Sequence, residues 1–113
     1  QAILAQVQRC AVHHRICKMG GSHGSKELKL DLGSGEHKYK AAVVGTNGHV
    51  YCPPFHAGRV LRIRSDTADA EEIGPELSGK FKYYCAVVAP DGNIYCPPYG
   101  GVKRVLRIRT DIG

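Results

Sequence analysis

The segment KYKAAVVGTNGHVYCPPFHAGRVLRIRSD (Lys38–Asp66) decides the fold, because it returns as KYYCAVVAPDGNIYCPPYGGVKRVLRIRTD (Lys82–Asp111). With one inserted residue near Val102, 17 of the 29 aligned pairs are identical. The two copies lie 44 residues apart before the insertion and 45 after it. A period of this size is typical of stacked or radially arranged supersecondary units. The duplication therefore predicts two repeat units, at about residues 38–81 and 82–113.

Each unit contains a series of short strands joined by tight turns. In the first unit, Ala41–Val44 is a small apolar strand, Asn47-Gly48 is a hairpin turn, and Pro53-Pro54 ends the return strand. RVLRIR follows at residues 59–64, and the two-residue period of a strand places Leu61 and Ile63 on one face and Arg62 and Arg64 on the other. The acidic, turn-rich residues 65–79 hold an outer strand, which gives about four strands per unit.

The residues before the first unit differ in character. Gln1–Met19 has apolar residues at three- and four-residue spacings and no acidic residue, which predicts a short, basic amphipathic helix. Residues 20–25 form a glycine-rich linker. Lys26–Asp31 (KELKLD) is similar to RVLRIR and predicts one extra strand. The fold class is therefore all-β, with a repeat domain over residues 26–113 and a short N-terminal helix.

The order of elements resembles a blade of the YVTN and NHL kind of β-propeller. Ala86–Tyr95 and Val105–Ile108 carry the likeness, which extends over residues 26–113. The resemblance implies two antiparallel blade-like units and a partial third, which make an incomplete propeller with unpaired strand edges. Three arrangements would satisfy these edges: copies of the chain that complete a ring, a larger assembly of which the chain is one piece, or two units that pack as a small open β-sandwich. Propellers host binding, scaffolding and enzyme chemistry, so the likeness implies no single activity.

Charge and cysteine content narrow the class of partner and the compartment. Sixteen basic and ten acidic residues give a net charge of +6, which favours anionic partners such as nucleic acid; a merely solubilising surface is the alternative. Five cysteines cannot all pair, and Cys52 and Cys96 recur at one position, which predicts buried thiols and an intracellular, reducing compartment. Because the N-terminal segment contains no acidic residue, as is typical of organelle-targeting segments, an organelle is the alternative location. No apolar run approaches the length of a membrane span.

Arginine side chains are the main candidates for binding an anion or a protein partner, because their planar forks suit phosphate and carboxylate groups. Tyrosines of the same strands and loops add stacking surfaces. The alternative is that these arginines pair with the acidic residues at positions 66–72. The candidate binding residues are Arg59, Arg62, Arg64, Arg104, Arg107, Arg109, Tyr51, Tyr95 and Tyr99.

The N-terminal segment holds the one candidate metal site. Cys10, His13, Cys17 and His23 offer soft ligands that zinc uses, although ordinary residues of a basic helix are the favoured interpretation. No cofactor other than zinc is suggested.

Catalytic motifs are missing from the sequence, which has no nucleophile elbow and no phosphate-binding loop. We therefore expect a non-catalytic protein-interaction or scaffold module, a small subunit or fragment acting within a homo-oligomer or larger complex. The alternatives are a basic nucleic-acid-associated protein and, third, a fragment of a propeller-type enzyme.

Overall fold

The computed structural model describes residues 24–111, and all regular structure in that range is β. One sheet has four antiparallel strands in the order β1-β2-β3-β4, and the other has three in the order β5-β6-β7. The predicted all-β class is confirmed. The strands are β1 (Val43–Val44), β2 (Val50–Cys52), β3 (Val60–Arg64), β4 (Asp69–Ile73), β5 (Val87–Val88), β6 (Ile94–Cys96) and β7 (Leu106–Ile108).

Corresponding residues of the duplicated sequence form corresponding strands. Tyr51 lies opposite Val43 and Arg62, and Tyr95 lies opposite Val87 and Arg107. The outer strand predicted within residues 65–79 is present as β4, which pairs along its whole length with β3. Among residues 24–111, no equivalent strand pairs with β7, which is therefore the edge of its sheet.

Tight turns join the first two strands of each sheet, as the Asn-Gly and Asp-Gly pairs predict. Gly48 donates its N–H to the carbonyl of Gly45 at 2.9 Å, and Gly45 donates to the carbonyl of His49 at 2.8 Å. Gly92 makes the matching bond to Ala89 at 2.9 Å, and both turn glycines have a φ of +89°. A residue without a side chain is needed because this left-handed conformation disfavours a Cβ atom.

Each sheet has two chemically distinct faces. We call the side that bears Tyr51 or Tyr95 the tyrosine face, and the side that bears Cys52 or Cys96 the cysteine face. Strand alternation places Val43, Val60 and Arg62 on the tyrosine face of the first sheet, and Ala86, Ile94 and Ile108 on the cysteine face of the second. The main core joins these two faces through a buried cluster of Val43, Tyr51, Val60, Tyr83, Ala86, Ile94, Cys96 and Ile108.

The extra strand predicted at residues 26–31 is wrong, because these residues form no strand. Leu28 and Leu30 are half-buried and line a cavity with Leu61 and Ile63 of the first sheet's cysteine face. The two leucines thus reach apolar surface without pairing along a strand edge. The predicted N-terminal helix and most of the glycine-rich linker lie outside the described residues.

Candidate functional site

Equivalent side chains of the two repeats differ sharply in exposure. Val60 is 5% exposed and its counterpart Val105 is 61% exposed, while Phe55 is 3% exposed and Tyr99 is 61% exposed. Because Val60 and Val105 lie in the same local sequence, neighbouring elements cause the difference between them. The cysteine face of the second sheet covers the tyrosine face of the first. Among the described residues nothing covers the tyrosine face of the second sheet in the same way, so that face is the candidate site.

Arg62 and Arg107, which are equivalent by repeat, also differ in exposure and in ion pairing. Arg62 is 8% exposed and donates from Nε to Glu71 Oε2 on β4 at 2.7 Å. Burial alone lowers the pKa of Arg62, but hydrogen bonds with Glu71 and Tyr51 outweigh it and raise the pKa above its ordinary value. Arg107 is exposed and has no ion pair within residues 24–111, where no strand equivalent to β4 supplies a carboxylate.

Three of the other candidate arginines are engaged locally. Arg64 pairs with Asp66 at 3.3 Å and Arg109 pairs with Asp111 at 3.0 Å, both in the turns that follow their strands. These guanidinium groups lower the pKa values of both aspartates. Arg59 donates from Nε to the carbonyl of Gly74 at 3.0 Å. Arg62 and Arg64 therefore pair with acidic residues at positions 66–72, as the alternative interpretation of these arginines predicts.

The candidate tyrosines do not form one surface. Tyr51 is fully buried, and its hydroxyl accepts a hydrogen bond from Asn47 Nδ2 at 2.8 Å. The Tyr95 hydroxyl donates to Asp91 at 2.7 Å and lowers the pKa of that carboxyl group. Tyr99 alone is largely exposed and stacks on Tyr84 with ring centroids 5.1 Å apart.

Sequence reasoning missed a row of aromatic side chains that links the two units. Backbone hydrogen bonds join four segments side by side, at residues 37–39, 54–56, 81–83 and 98–100. Phe55 lies in this row with Phe81, Tyr84 and Tyr99 at centroid distances of 5.4 to 6.0 Å, and Lys40 Nζ stands 5.7 Å from its ring centre.

A short sequence motif precedes each unit and lies next to the segments of this row. Ser34-Gly35-x-x-Lys38-Tyr39 recurs as Ser78-Gly79-x-x-Lys82-Tyr83, so the duplication begins four residues earlier than the aligned segment. Both lysines donate to the carbonyl of the glycine three residues before them, at 2.8 and 2.6 Å. Burial lowers the pKa of Lys82. His37 and Phe81, between glycine and lysine, have φ values of 54° and 53°, which are rare for such residues.

A groove runs beside the open edge of β7. Its volume is about 580 Å³, and it separates β7 from the end of β4. Apolar side chains and three arginines line it. The lining residues are Val60, Arg62, Ile73, Gly74, Pro75, Leu106, Arg107, Ile108 and Arg109.

Two of the three cysteines in the repeats are buried. Cys52, Cys85 and Cys96 are free thiols, and the prediction that Cys52 and Cys96 are buried is confirmed. Burial raises the pKa of Cys52 to about 11. Burial, with a smaller contribution from Cys85, raises the pKa of Cys96 to about 12.

The structure does not bear on the candidate zinc ligands, because Cys10, His13, Cys17 and His23 lie outside residues 24–111. Within that range no group of three or more His, Cys, Asp or Glu residues is placed to hold a metal ion. The same range contains no helix with the length and apolar character needed to cross a membrane.

Comparison of the chain with models of protein families, with curated proteins and with solved structures finds no match.

Proposed function

We propose that this chain is a non-catalytic protein-interaction module, a small subunit or fragment that acts within a larger assembly. Its two units are blade-like repeats of an incomplete propeller, and the tyrosine face of the second unit is the contact surface. The observation that carries the proposal is the contrast between Val60, which is 5% exposed, and Val105, which is 61% exposed. The first unit provides the template for how such a face is covered.

The template also specifies the chemistry of the contact. In the core, Tyr51 and Val60 pack against small and branched side chains such as Ala86 and Ile94. A unit that docks on the second tyrosine face therefore presents an apolar cysteine face. A symmetric contact between two copies of the tyrosine face is disfavoured, because it would place the exposed Arg107 of both copies together.

Sedimentation velocity of the intact chain tests the proposal across a wide range of concentration. We expect particles heavier than the 12.3 kDa chain, and we expect Val105→Asp to return them to that mass. Val105 makes few core contacts, so its substitution leaves the fold intact. Thr67→Asp, an exposed site in the β3–β4 turn, is the matched control and leaves assembly unchanged. A wild-type chain that stays monomeric throughout, or a Val105→Asp variant that assembles normally, would contradict the proposal.

A nucleic-acid-associated role is the second candidate, supported by the aromatic row and its lysine. Single-stranded nucleic acid binds surfaces that combine cationic side chains with exposed rings. Tyr84 and Tyr99 are stacked and more than half exposed, and Lys40 lies beside Phe55. A labelled oligonucleotide should bind at low salt, weaken steeply with added salt, and lose affinity when Tyr84 and Tyr99 are both changed to Ala. Retained affinity in the double variant would rule out this surface.

A further inference from the structure

The pairing of β3 with β4 shows how this repeat binds an acidic strand. Arg62 lies opposite Glu71 and Val60 lies opposite Ile73 in an antiparallel register. The β4 sequence Asp-Ala-Glu-Glu-Ile contains three acids in five residues. The strand therefore contributes both backbone hydrogen bonds and a carboxylate for the buried guanidinium of Arg62.

The second unit repeats the receiving strand. Val105-Leu-Arg-Ile-Arg109 is identical in sequence to Val60–Arg64. Within residues 24–111, the outer edge of β7 pairs with no strand, and Arg107 has no ion pair. An unpaired edge presents backbone donors and acceptors that a further strand satisfies.

The side chains that line the groove beside β7 suit a strand that carries both apolar and acidic residues. Ile73, Leu106 and Ile108 provide apolar lining, and Arg107 and Arg109 provide positive charge. Ile73, Gly74 and Pro75, at the end of β4, line the groove opposite β7.

We infer that the outer edge of β7 binds an acidic β-strand from a partner protein, seated in the groove between β7 and the end of β4. This inference rests on the proposed function and adds a second contact, beside the tyrosine face. Transferring the β3–β4 register to β7 specifies the ligand: an acidic residue opposite Arg107 and, two residues later, a branched apolar residue opposite Val105. The net charge of +6 favours the encounter with an acidic segment.

A labelled peptide with the sequence of residues 68–75 (ADAEEIGP) is the probe, added to the intact chain at a concentration below that of self-association. We expect saturable binding by fluorescence anisotropy. Replacing the first glutamate of the peptide by Gln should weaken binding about tenfold, because Arg107 then loses its counter-charge while a hydrogen bond can still form. Binding that is unchanged by this replacement would overturn the inference.

A charge exchange locates the peptide on β7. Arg107→Glu should abolish binding of the acidic peptide, and a peptide with Lys in place of the first glutamate should restore it. Lys80→Glu changes the net charge of the protein equally at another exposed position and should leave binding nearly unchanged. If both protein variants weaken binding equally, only general electrostatic attraction operates and the inference fails.

Two N-methylated peptides test strand pairing. Methyl groups on alternate backbone nitrogens block one edge or the other, so only the peptide blocked on the edge facing β7 should lose affinity. Equal binding by both peptides would overturn the inference.

If the peptide fails to bind while Val105→Asp still abolishes assembly, this inference is wrong and the proposed function stands. If the peptide binds while the wild-type chain stays monomeric, the edge is a binding site and assembly through the tyrosine face is wrong.

Discussion

Arg62 illustrates how a charged residue becomes part of the protein interior. Its guanidinium is held by Glu71, whose side chain is 39% exposed, so water partly screens the pair. We expect Glu71→Gln to lower the free energy of unfolding by about 1–2 kcal/mol, because the buried cation loses its counter-charge while one hydrogen bond is kept. Urea denaturation measures the change. Asp66→Asn, which affects the exposed pair with Arg64, is the control and should have a smaller effect; an equal effect would contradict this assignment.

The buried thiols make stability sensitive to alkaline pH. In the unfolded chain Cys52 and Cys96 ionise near 9.0, whereas in the folded chain burial raises their pKa values to about 11 and about 12. The folded state therefore binds more protons above pH 9, and the free energy of unfolding falls as pH rises from about 9 toward 11. The slope approaches about 1.4 kcal/mol per pH unit for each thiol.

Urea denaturation at a series of pH values measures this slope. Cys52→Ala and Cys96→Ala should each be less stable at neutral pH, because each leaves a cavity, and each should show a flatter decline above pH 9. A decline that is equally steep in both variants would show that other groups cause it.

At the scale of elements, the hairpin turns depend on glycine. Gly48 and Gly92 both have a φ of +89°, so an added Cβ is strained at either site. At Gly92 it would also lie 3.2 Å from Thr46 Oγ1, against 3.7 Å from Ser65 Oγ at Gly48. We expect each Gly→Ala change to lower the free energy of unfolding by about 1 kcal/mol, and Gly92→Ala to cost more.

Thermal or urea unfolding of the turn variants provides the measurement. Gly24→Ala is the control, because no atom of the described residues lies within 4 Å of its added Cβ and its φ is not positive. Its stability should match that of the wild-type chain. A Gly92→Ala variant that is no less stable than Gly24→Ala would contradict the turn assignment.

The elements that depend on local chemistry could be predicted from the sequence. Alternation in RVLRIR and the Asn-Gly and Asp-Gly pairs identified β3, β7 and the turns, and the acidic stretch identified β4. KELKLD has the same alternation but forms no strand, because pairing requires a neighbouring edge that alternation cannot report. The aromatic row was missed because Phe55, Phe81 and Tyr99 come from three segments that are distant in sequence.

At the scale of the whole molecule, the candidate site could not be predicted from the repeat alone. Identical residues such as Arg62 and Arg107 carry the same local signal, so the sequence predicts the same environment for both. Burial of one and exposure of the other depend on which face of each sheet meets its neighbour. That asymmetry arises because the tyrosine face of the first sheet meets the cysteine face of the second, which leaves the tyrosine face of the second sheet uncovered among residues 24–111.

Hydrogen exchange of the intact chain, measured at low and at high protein concentration, tests the central claim most directly. The claim is that the open tyrosine face of the second unit becomes covered in the assembly. The account predicts that the amides of β6 and β7 exchange more slowly at high concentration and approach the rates of β2 and β3, while the turn at residues 45–48 is unaffected. Exchange rates in β6 and β7 that do not change with concentration, or protection that appears only elsewhere in the chain, would contradict it.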